Sequence, residues 1–428
     1  MRYDRVIAEK LKQQYDRELP SYKKMFDYYC GKTDINTRYK QNEDRANYIV
    51  KANYIKKFIN EHVAYGVGSK ITYTHTQDNR ECIDDIEYNM QIQKSSLDSE
   101  LYRNMLIFGK AYEMAYIYKD ELRYRVTNPT NSIAYLNSED EVEMFLYFYR
   151  DQLDDDYKVN IDCYCDEGIY HFDENFMSIK PMTPIEYTDC IPVSVAQLED
   201  GVFGTLYNDI KEIQDAIEVA LSDYINNSSD LRSAYMVLTG VEMDDEQATS
   251  FKSQGIILLP EKGTAEFLIK NIPSDYIKNL IDSLNEKVYE ISQSINSNEA
   301  MQSNTSGQAI QSRIINLRNK VQIEQRALED AIKNRIRILF DYIRVVYNKD
   351  YNYRDVKVHM DINVPSDDAG MADIISKIGD RMSVADALQQ LSFVDNGSKW
   401  AERAENERIE KQKNDINSID DIGVGEDD

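Results

Sequence analysis

Apolar residues recur at steps of three and four through most of residues 204–347, in three separate runs. The first run carries Leu206, Ile210, Ile213, Ile217, Leu221, Tyr224 and Leu231. The second carries Ile277, Leu280, Ile281, Leu284, Val288, Ile291 and Ile295, and the third Ile310, Ile314, Leu317, Val321, Leu328, Ile332, Leu339, Ile343 and Val346. That spacing places each set on one face of a helix. An unbroken third helix of about 40 residues would reach roughly 60 Å at 1.5 Å per residue. A compact domain of about 200 residues is only about 40 Å across. Either the molecule is elongated, then, or neighbouring copies complete the burial of that helix.

Before residue 204 the pattern changes twice. Residues 1–30 read as helix (Ile7, Leu11, Tyr15, then Met25, Phe26, Tyr29) with a break near Pro20, and 52–63 as a second helix around Ile55, Phe58 and Ile59. Tyr65-Gly66-Val67-Gly68-Ser69-Lys70 reads as a turn into a strand at Ile71-Thr72-Tyr73, followed by a helix over 91–108 that stops at Gly109. Alternation and aromatic runs then predict strands over 111–118, 122–126, 144–150, 158–165 and 169–172, with Asp166-Glu167-Gly168 as a hairpin turn. Pro181, Pro184 and Pro192 mark an extended connector.

Between the first two long helices lie short strands at 235–238, 256–259 and 264–269, with a polar helical piece over 244–252. Ser274 is placed to cap the returning helix. A polar stretch, 297–307, separates it from the third. Beyond residue 347, Val356, Val358, Met360, Ile362 and Val364 alternate as a strand that ends at Pro365. Helices follow around Ile374, Ile375 and Ile378 and from Ser383, and a charged helix from Lys399 runs into a Gly- and Asp-rich end expected to be disordered. The fold class is α+β, mainly helical.

Composition narrows the function more than the fold. The chain has 428 residues, 42% of them apolar and 29% charged, enough for one large or two ordinary domains. No apolar run approaches the ~20 residues that cross a bilayer, and the mixed-charge N-terminus does not suggest export. Five scattered cysteines fit a reducing compartment. The net charge of −26 excludes a general basic surface that grips nucleic acid. An acidic wall could still surround DNA without holding it.

Candidate chemistry is sparse. Gly66-Val67-Gly68-Ser69-Lys70 invites a phosphate-loop reading but has the wrong spacing and follows a helix. Cys163 and Cys165, with His171 near in sequence, could be zinc ligands, yet no second pair exists at ligand spacing and buried apolar packing is the better account. His62, His75, His171 and His359 sit in no catalytic frame. The acidic runs Asp154-Asp155-Asp156 and Asp244-Asp245-Glu246 read as solvated loops before they read as metal sites. On the third helix Arg313, Arg318, Lys320, Arg326, Lys333, Arg335 and Arg337 read mainly as a solvated or ion-paired side, with Arg313 and Arg318 as candidates to face phosphate.

Several segments taken in order resemble the portal proteins of tailed bacteriophages, of the type found in the Bacillus phage SPP1. They are Tyr28-Tyr29-Cys30-Gly31-Lys32, Ala52-Asn53-Tyr54, Val63-Ala64-Tyr65-Gly66-Val67-Gly68, and Phe108-Gly109-Lys110-Ala111-Tyr112-Glu113, similar to a G-x-A-Y-E strand entry. Thr127-Asn128-Pro129, Ile213-Gln214-Asp215-Ala216 with Leu221-Ser222-Asp223, Asn304-Thr305-Ser306-Gly307-Gln308-Ala309-Ile310 and Ile362-Asn363-Val364-Pro365 continue the series. Ser69-Lys70 departs from a common lysine-proline pair, and Ile217-Glu218 from an aromatic-asparagine pair.

The resemblance implies a portal fold: a wing over 1–203, stem helices at 204–235 and 273–296, and a small β-rich clip at 236–272. A tunnel loop would follow at 297–306, then a long wing helix and late strand over 307–382, and a small crown with a disordered acidic tail over 383–428. It implies a ring, usually of twelve copies, at one capsid vertex in the virion, assembled in the host cytoplasm. Double-stranded DNA would pass without sequence specificity, along a loop in which Asn298, Gln302, Ser303 and Asn304 are the favoured DNA-facing residues. The clip, with Asp244, Asp245, Glu246, Lys252 and Lys262, would dock the terminase large subunit and later a head-completion adaptor. Major capsid and scaffolding proteins are the other partners implied; no cofactor, metal, membrane or catalytic residue is. Two other readings stand beside it, a helical adaptor bridging proteins without a channel and a metal-dependent hydrolase using the acidic loops.

Overall fold

A computed structural model of the chain describes residues 2–38, 47–150, 158–230, 235–239, 264–268, 274–296, 307–362, 375–377, 382–389, 391, 394 and 397–420. It divides into two compact units, residues 1–301 with 312–362, and residues 302–311 with 363–428.

In the first unit helix α1 (Arg5–Tyr29) starts at Asp4, whose carboxylate accepts from the Val6 and Ile7 amides. It runs unbroken through Pro20, contrary to the expected interruption. The helix serves two cores. Ala8, Leu11 and Tyr15 pack with the side chains of a β-sheet, while Tyr22, Met25 and Tyr28 enter a helical core. Each large buried side chain contributes roughly 1.5–3 kcal/mol, so together they outweigh the ~3 kcal/mol that an interior proline costs.

After the single-turn α2 (Ile35–Arg38), helix α3 (Tyr54–Val67) is capped by Asn53 and continues past the expected turn at Tyr65. Gly66 is helical, and a Cβ there would lie 3.0 Å from both the Tyr102 hydroxyl and Val321. Its absence lets two other helices approach α3 closely. Strand β1 (Thr72–His75) follows, and then two helices, α4 (Arg80–Gln91) and α5 (Leu97–Phe108), where one helix over 91–108 was expected. Gly109 ends α5 in the left-handed conformation at φ 79°.

The strands build two main antiparallel sheets. Strand β2 (Lys110–Tyr118) pairs with β3 (Glu121–Thr127) on one side and β9 (Val193–Gln197) on the other. The second sheet runs in sequence order through β4 (Ser132–Leu136), β5 (Val142–Arg150), β6 (Val159–Cys165), β7 (Gly168–Asp173) and β8 (Ser178–Thr183). Asp166 and Glu167 form the expected hairpin, with Cys165 opposite Gly168. Strands β8 and β9 lie where an extended proline connector was expected.

Helix α6 (Leu206–Asp230) follows, then β10 (Tyr235–Thr239) paired antiparallel with β11 (Thr264–Leu268), then α7 (Ser274–Ser292). Helix α8 (Gly307–Tyr347) has 41 residues and is continuous, as its apolar spacing predicts. It leads to β12 (Val356–His359), which pairs with β1 and stops short of the strand expected over 356–364; Met360 already leaves the pairing. In the second unit, α9 (Val384–Gln389) starts at Ser383, whose hydroxyl accepts from the Asp386 amide, and α10 (Gly397–Asp420) is the charged helix expected from Lys399. The expected strand at 256–259, the helical piece at 244–252, Ile374, Ile378 and the tail 421–428 lie outside the described residues.

Candidate functional site

Helices α6 and α7 pack against each other and run in opposite directions, since their adjoining ends lead into the two strands of one antiparallel pair. The apolar face of α6 was legible, and Ile210 and Ile217 are buried in the main core. A second stripe on α6 is polar and equally buried. Gln214, Glu218, Ser222 and Asn226, each four residues apart, stack along one face. Their side chains accept the amides of Ile55 at 3.1 Å, Ala52 at 3.0 Å, Val50 at 2.9 Å and Tyr48 at 2.7 Å, in that order. An extended segment before α3 is thereby held along α6 through its backbone. Glu218 also accepts from the Thr33 hydroxyl at 2.5 Å. Burial pushes the Glu218 carboxyl up, while the bonds from Thr33 and Ala52 oppose the rise.

Burial fades along the hairpin. Val288 is buried, but at the end nearer β10 and β11 Tyr224 is 43% exposed, Ile225 40%, Tyr276 67% and Leu280 40%. Helix α8 shows the same feature, with Ile314, Leu317 and Val321 buried and Ile315 and Ile323 on the surface. These helices carry more apolar surface than one copy covers.

The charges of α8 mostly find partners. Lys320 pairs with Asp209 of α6, Lys333 with Glu329, and Arg337 with Glu141. Arg335 is fully buried and forks onto Glu113, with Asp98 on its remaining nitrogen. Arg318 and Arg326 face solvent. Arg313 belongs to α8, its side chain outside the described set; Asn298, Gln302, Ser303 and Asn304 lie outside the described residues, as do Asp244, Asp245, Glu246, Lys252 and Lys262. Of the described basic residues on α8 only Arg337, paired with Glu141, lines the cleft of about 560 Å³ between β9, the β4–β5 turn and α8; Arg318 does not. Asp140, Glu143, Asp189 and Glu199 line that cleft and would repel phosphate.

The alternative chemistries take structural forms. Gly66 and Val67 belong to α3, so Gly66-Val67-Gly68-Ser69-Lys70 offers no phosphate loop. Cys163 and Cys165 are buried thiols 3.6 Å apart in the sheet core; the contact with Cys165, then burial, push the Cys163 thiol up and keep it protonated. His171 turns away from them to Asp162 and Thr183. Among the described residues no group of three or more His, Cys, Asp or Glu could hold a metal ion, and no helix is long and apolar enough to cross a membrane. Asp154-Asp155-Asp156 lies outside the described residues.

The model of the family described as "Phage portal protein, SPP1 Gp6-like" matches residues 8–418. The chain belongs to that family. No curated protein matches it. Among solved structures, this portal-family chain is similar to a chain of "Neck of empty GTA particle computed with C6 symmetry", with 9% identity and a TM-score of 0.50 over 84% of this chain and 92% of that one. A chain of "Virion of native gene transfer agent (GTA) particle" matches with 12% identity and a TM-score of 0.47, over 77% and 87%. At 9% identity the likeness to the first is one of fold.

The motif Gly109-Lys110-Ala111-Tyr112-Glu113 of this portal-family chain has a physical basis at four of its five positions. A Cβ on Gly109 would lie 2.4 Å from the Gly201 carbonyl oxygen, in a conformation L residues rarely adopt. Ala111 and Tyr112 are buried, and Glu113 is the buried partner of Arg335.

Proposed function

We propose that this chain is one subunit of a closed ring, of twelve copies, that stands at a capsid vertex and forms the channel for packaging and ejecting double-stranded DNA. The observation that carries the reading is the apolar surface left open on the paired α6 and α7 and on α8, within a family of phage portals. A head-to-tail ring covers such a flank on every copy without leaving a free end. In this assignment residues 204–235 and 273–296, which carry α6 and α7, are the stem, residues 236–272 the clip and residues 297–306 the channel lining, while 1–203 and 307–382 form the wing. The clip docks the terminase large subunit and later a head-completion adaptor, and the wing meets capsid and scaffolding proteins. The part is mechanical; ATP hydrolysis belongs to the terminase. The net charge of −26 suits a wall past which phosphate slides. A ring of twelve also accords with a neck averaged in C6, because six divides twelve.

The test is DNA packaging by rings carrying lysine at Asn298, Gln302, Ser303 and Asn304. Added ammonium groups on a channel wall would form ion pairs with the moving phosphates and slow translocation. Packaging at the unsubstituted rate would contradict a channel lined by this segment.

A further inference from the structure

A second polar cluster lies where the chain leaves α7 for residues 297–306. Helix α7 ends at Ser292, and Gln293 then takes the left-handed conformation at φ 58°, turning the backbone away from the helix axis. The next two residues are both met by neighbours on α3. The Ile295 amide donates to Glu61 Oε1 at 3.1 Å, and the Ser294 hydroxyl lies 3.5 Å from His62 Nε2. The other ring nitrogen of His62, Nδ1, is 3.1 Å from each oxygen of Glu324 on α8. Glu324 also accepts from the Tyr102 hydroxyl of α5 at 2.7 Å, and burial beside this carboxylate pushes the Tyr102 phenol well up, so it stays a donor. His62 is wholly enclosed.

One turn of α3 therefore touches α8 and the chain just beyond the end of α7, on either side of residues 297–306 in sequence. Glu61 holds the exit from α7. His62 ties that exit to α8 through Glu324, with Tyr102 fixing the carboxylate from the far side. Gly66, one turn further along α3, is what lets Tyr102 approach.

A core ion pair would need none of the contacts to Ser294 and Ile295. The serine–histidine–glutamate order matches the hydrogen-bond order of a hydrolase triad. The imidazole is sealed from solvent, however, and the serine stands beyond the ~3.2 Å reach of an effective base. Anchoring accounts for every bond in the cluster.

We propose that Glu61 and His62 are positioning residues for the channel segment, fixing where the chain departs from α7 and tying that point to α8. The inference rests on the channel reading given above. In assembled rings of the full chain, Glu61→Ala removes the acceptor of the Ile295 amide, and hydrogen exchange at that amide is expected to quicken roughly tenfold, the equivalent of one hydrogen bond. Packaged DNA is expected to fall several-fold while rings form as before. Glu61→Gln keeps an oxygen at the same place and restores both. Unchanged exchange at Ile295, or normal packaging by Glu61→Ala, would overturn the proposal. Lysine at Gln302 and Ser303 separates the two readings. Normal packaging by those variants would overturn the channel itself, whereas a defect in them beside normal packaging by Glu61→Ala would overturn only the anchor.

Discussion

Arg335 Nε and Nη2 meet the two carboxylate oxygens of Glu113 at 2.7 and 2.6 Å, and both side chains are about 1% exposed. The pair joins α8 to β2, the strand that begins just after Gly109. Asp98 takes the third guanidinium contact at 2.6 Å, and Glu113 and Asp98 together hold the arginine charged far above the usual range although burial alone would lower it. Charge-assisted bonds are roughly twice as strong as neutral ones, and two in parallel also fix the relative orientation of the groups.

Removing one member leaves the other as an uncompensated buried charge. Arg335→Met is expected to cost about 3–5 kcal/mol, read as a lowered urea midpoint. The double change Glu113→Leu with Arg335→Met should recover most of that loss, because the desolvation penalty disappears with both charges. Equal destabilisation by the single and double variants would contradict this account.

The ladder on α6 makes a more local expectation. Ser222→Ala removes the acceptor of the half-buried Val50 amide, at a cost of about 1 kcal/mol. Exchange at Val50 should quicken more than exchange in β2, which lies in another part of the unit. A uniform change across the chain would show that the extended segment is not held through these bonds.

Glu218 gives that ladder a pH dependence. Burial raises its folded-state pKa above the unfolded value. Such a group contributes its full stability below the unfolded pKa, and loses it as pH rises through the folded one. The stability of the natural chain relative to Glu218→Gln should therefore grow as pH falls from neutral through the raised carboxyl pKa. Comparing the two chains cancels the other carboxylates, and thermal midpoints at a series of pH values provide the check. A constant difference across the series would contradict the assignment.

Gly109→Ala should be among the costly single changes. The residue sits at φ 79°, and the new methyl would meet the Gly201 backbone at 2.4 Å. The conformation alone costs roughly 1–2 kcal/mol, and a backbone oxygen has no rotamer by which to yield. A urea midpoint equal to that of the unaltered chain would show that the turn at Gly201 relaxes freely.

What could be read from the sequence follows from how each contact is made. Helices α6, α7 and α8 were legible because their cores are apolar side chains at regular spacing. The ladder of Gln214, Glu218, Ser222 and Asn226 was missed, although its spacing of four is regular, because its partners are backbone amides that leave no residue signature. Helix α4 was missed for a related reason. Only Cys82, Ile86 and Asn89 of its twelve residues are buried, too narrow a stripe to stand out in a polar run. Pro20 misled because a local cost was weighed without the two cores that α1 joins. Strands β4, β8 and β9 are short, and β8 is exposed along its whole length, so neither alternation nor apolar content marked it.

The open apolar flank of the hairpin is where a neighbouring copy should rest. Tyr276→Asp with Leu280→Asp places charge on surface that is already 67% and 40% exposed, so the fold of each chain should persist by circular dichroism. Ring formation should fail. Normal rings from this variant would move the contact elsewhere.

Native mass measurement and imaging of the purified chain, under conditions that permit assembly, test the ring most directly. The expected result is a hollow particle near 600 kDa, about twelve times the 49.9 kDa chain. A single 49.9 kDa species at every concentration would contradict it.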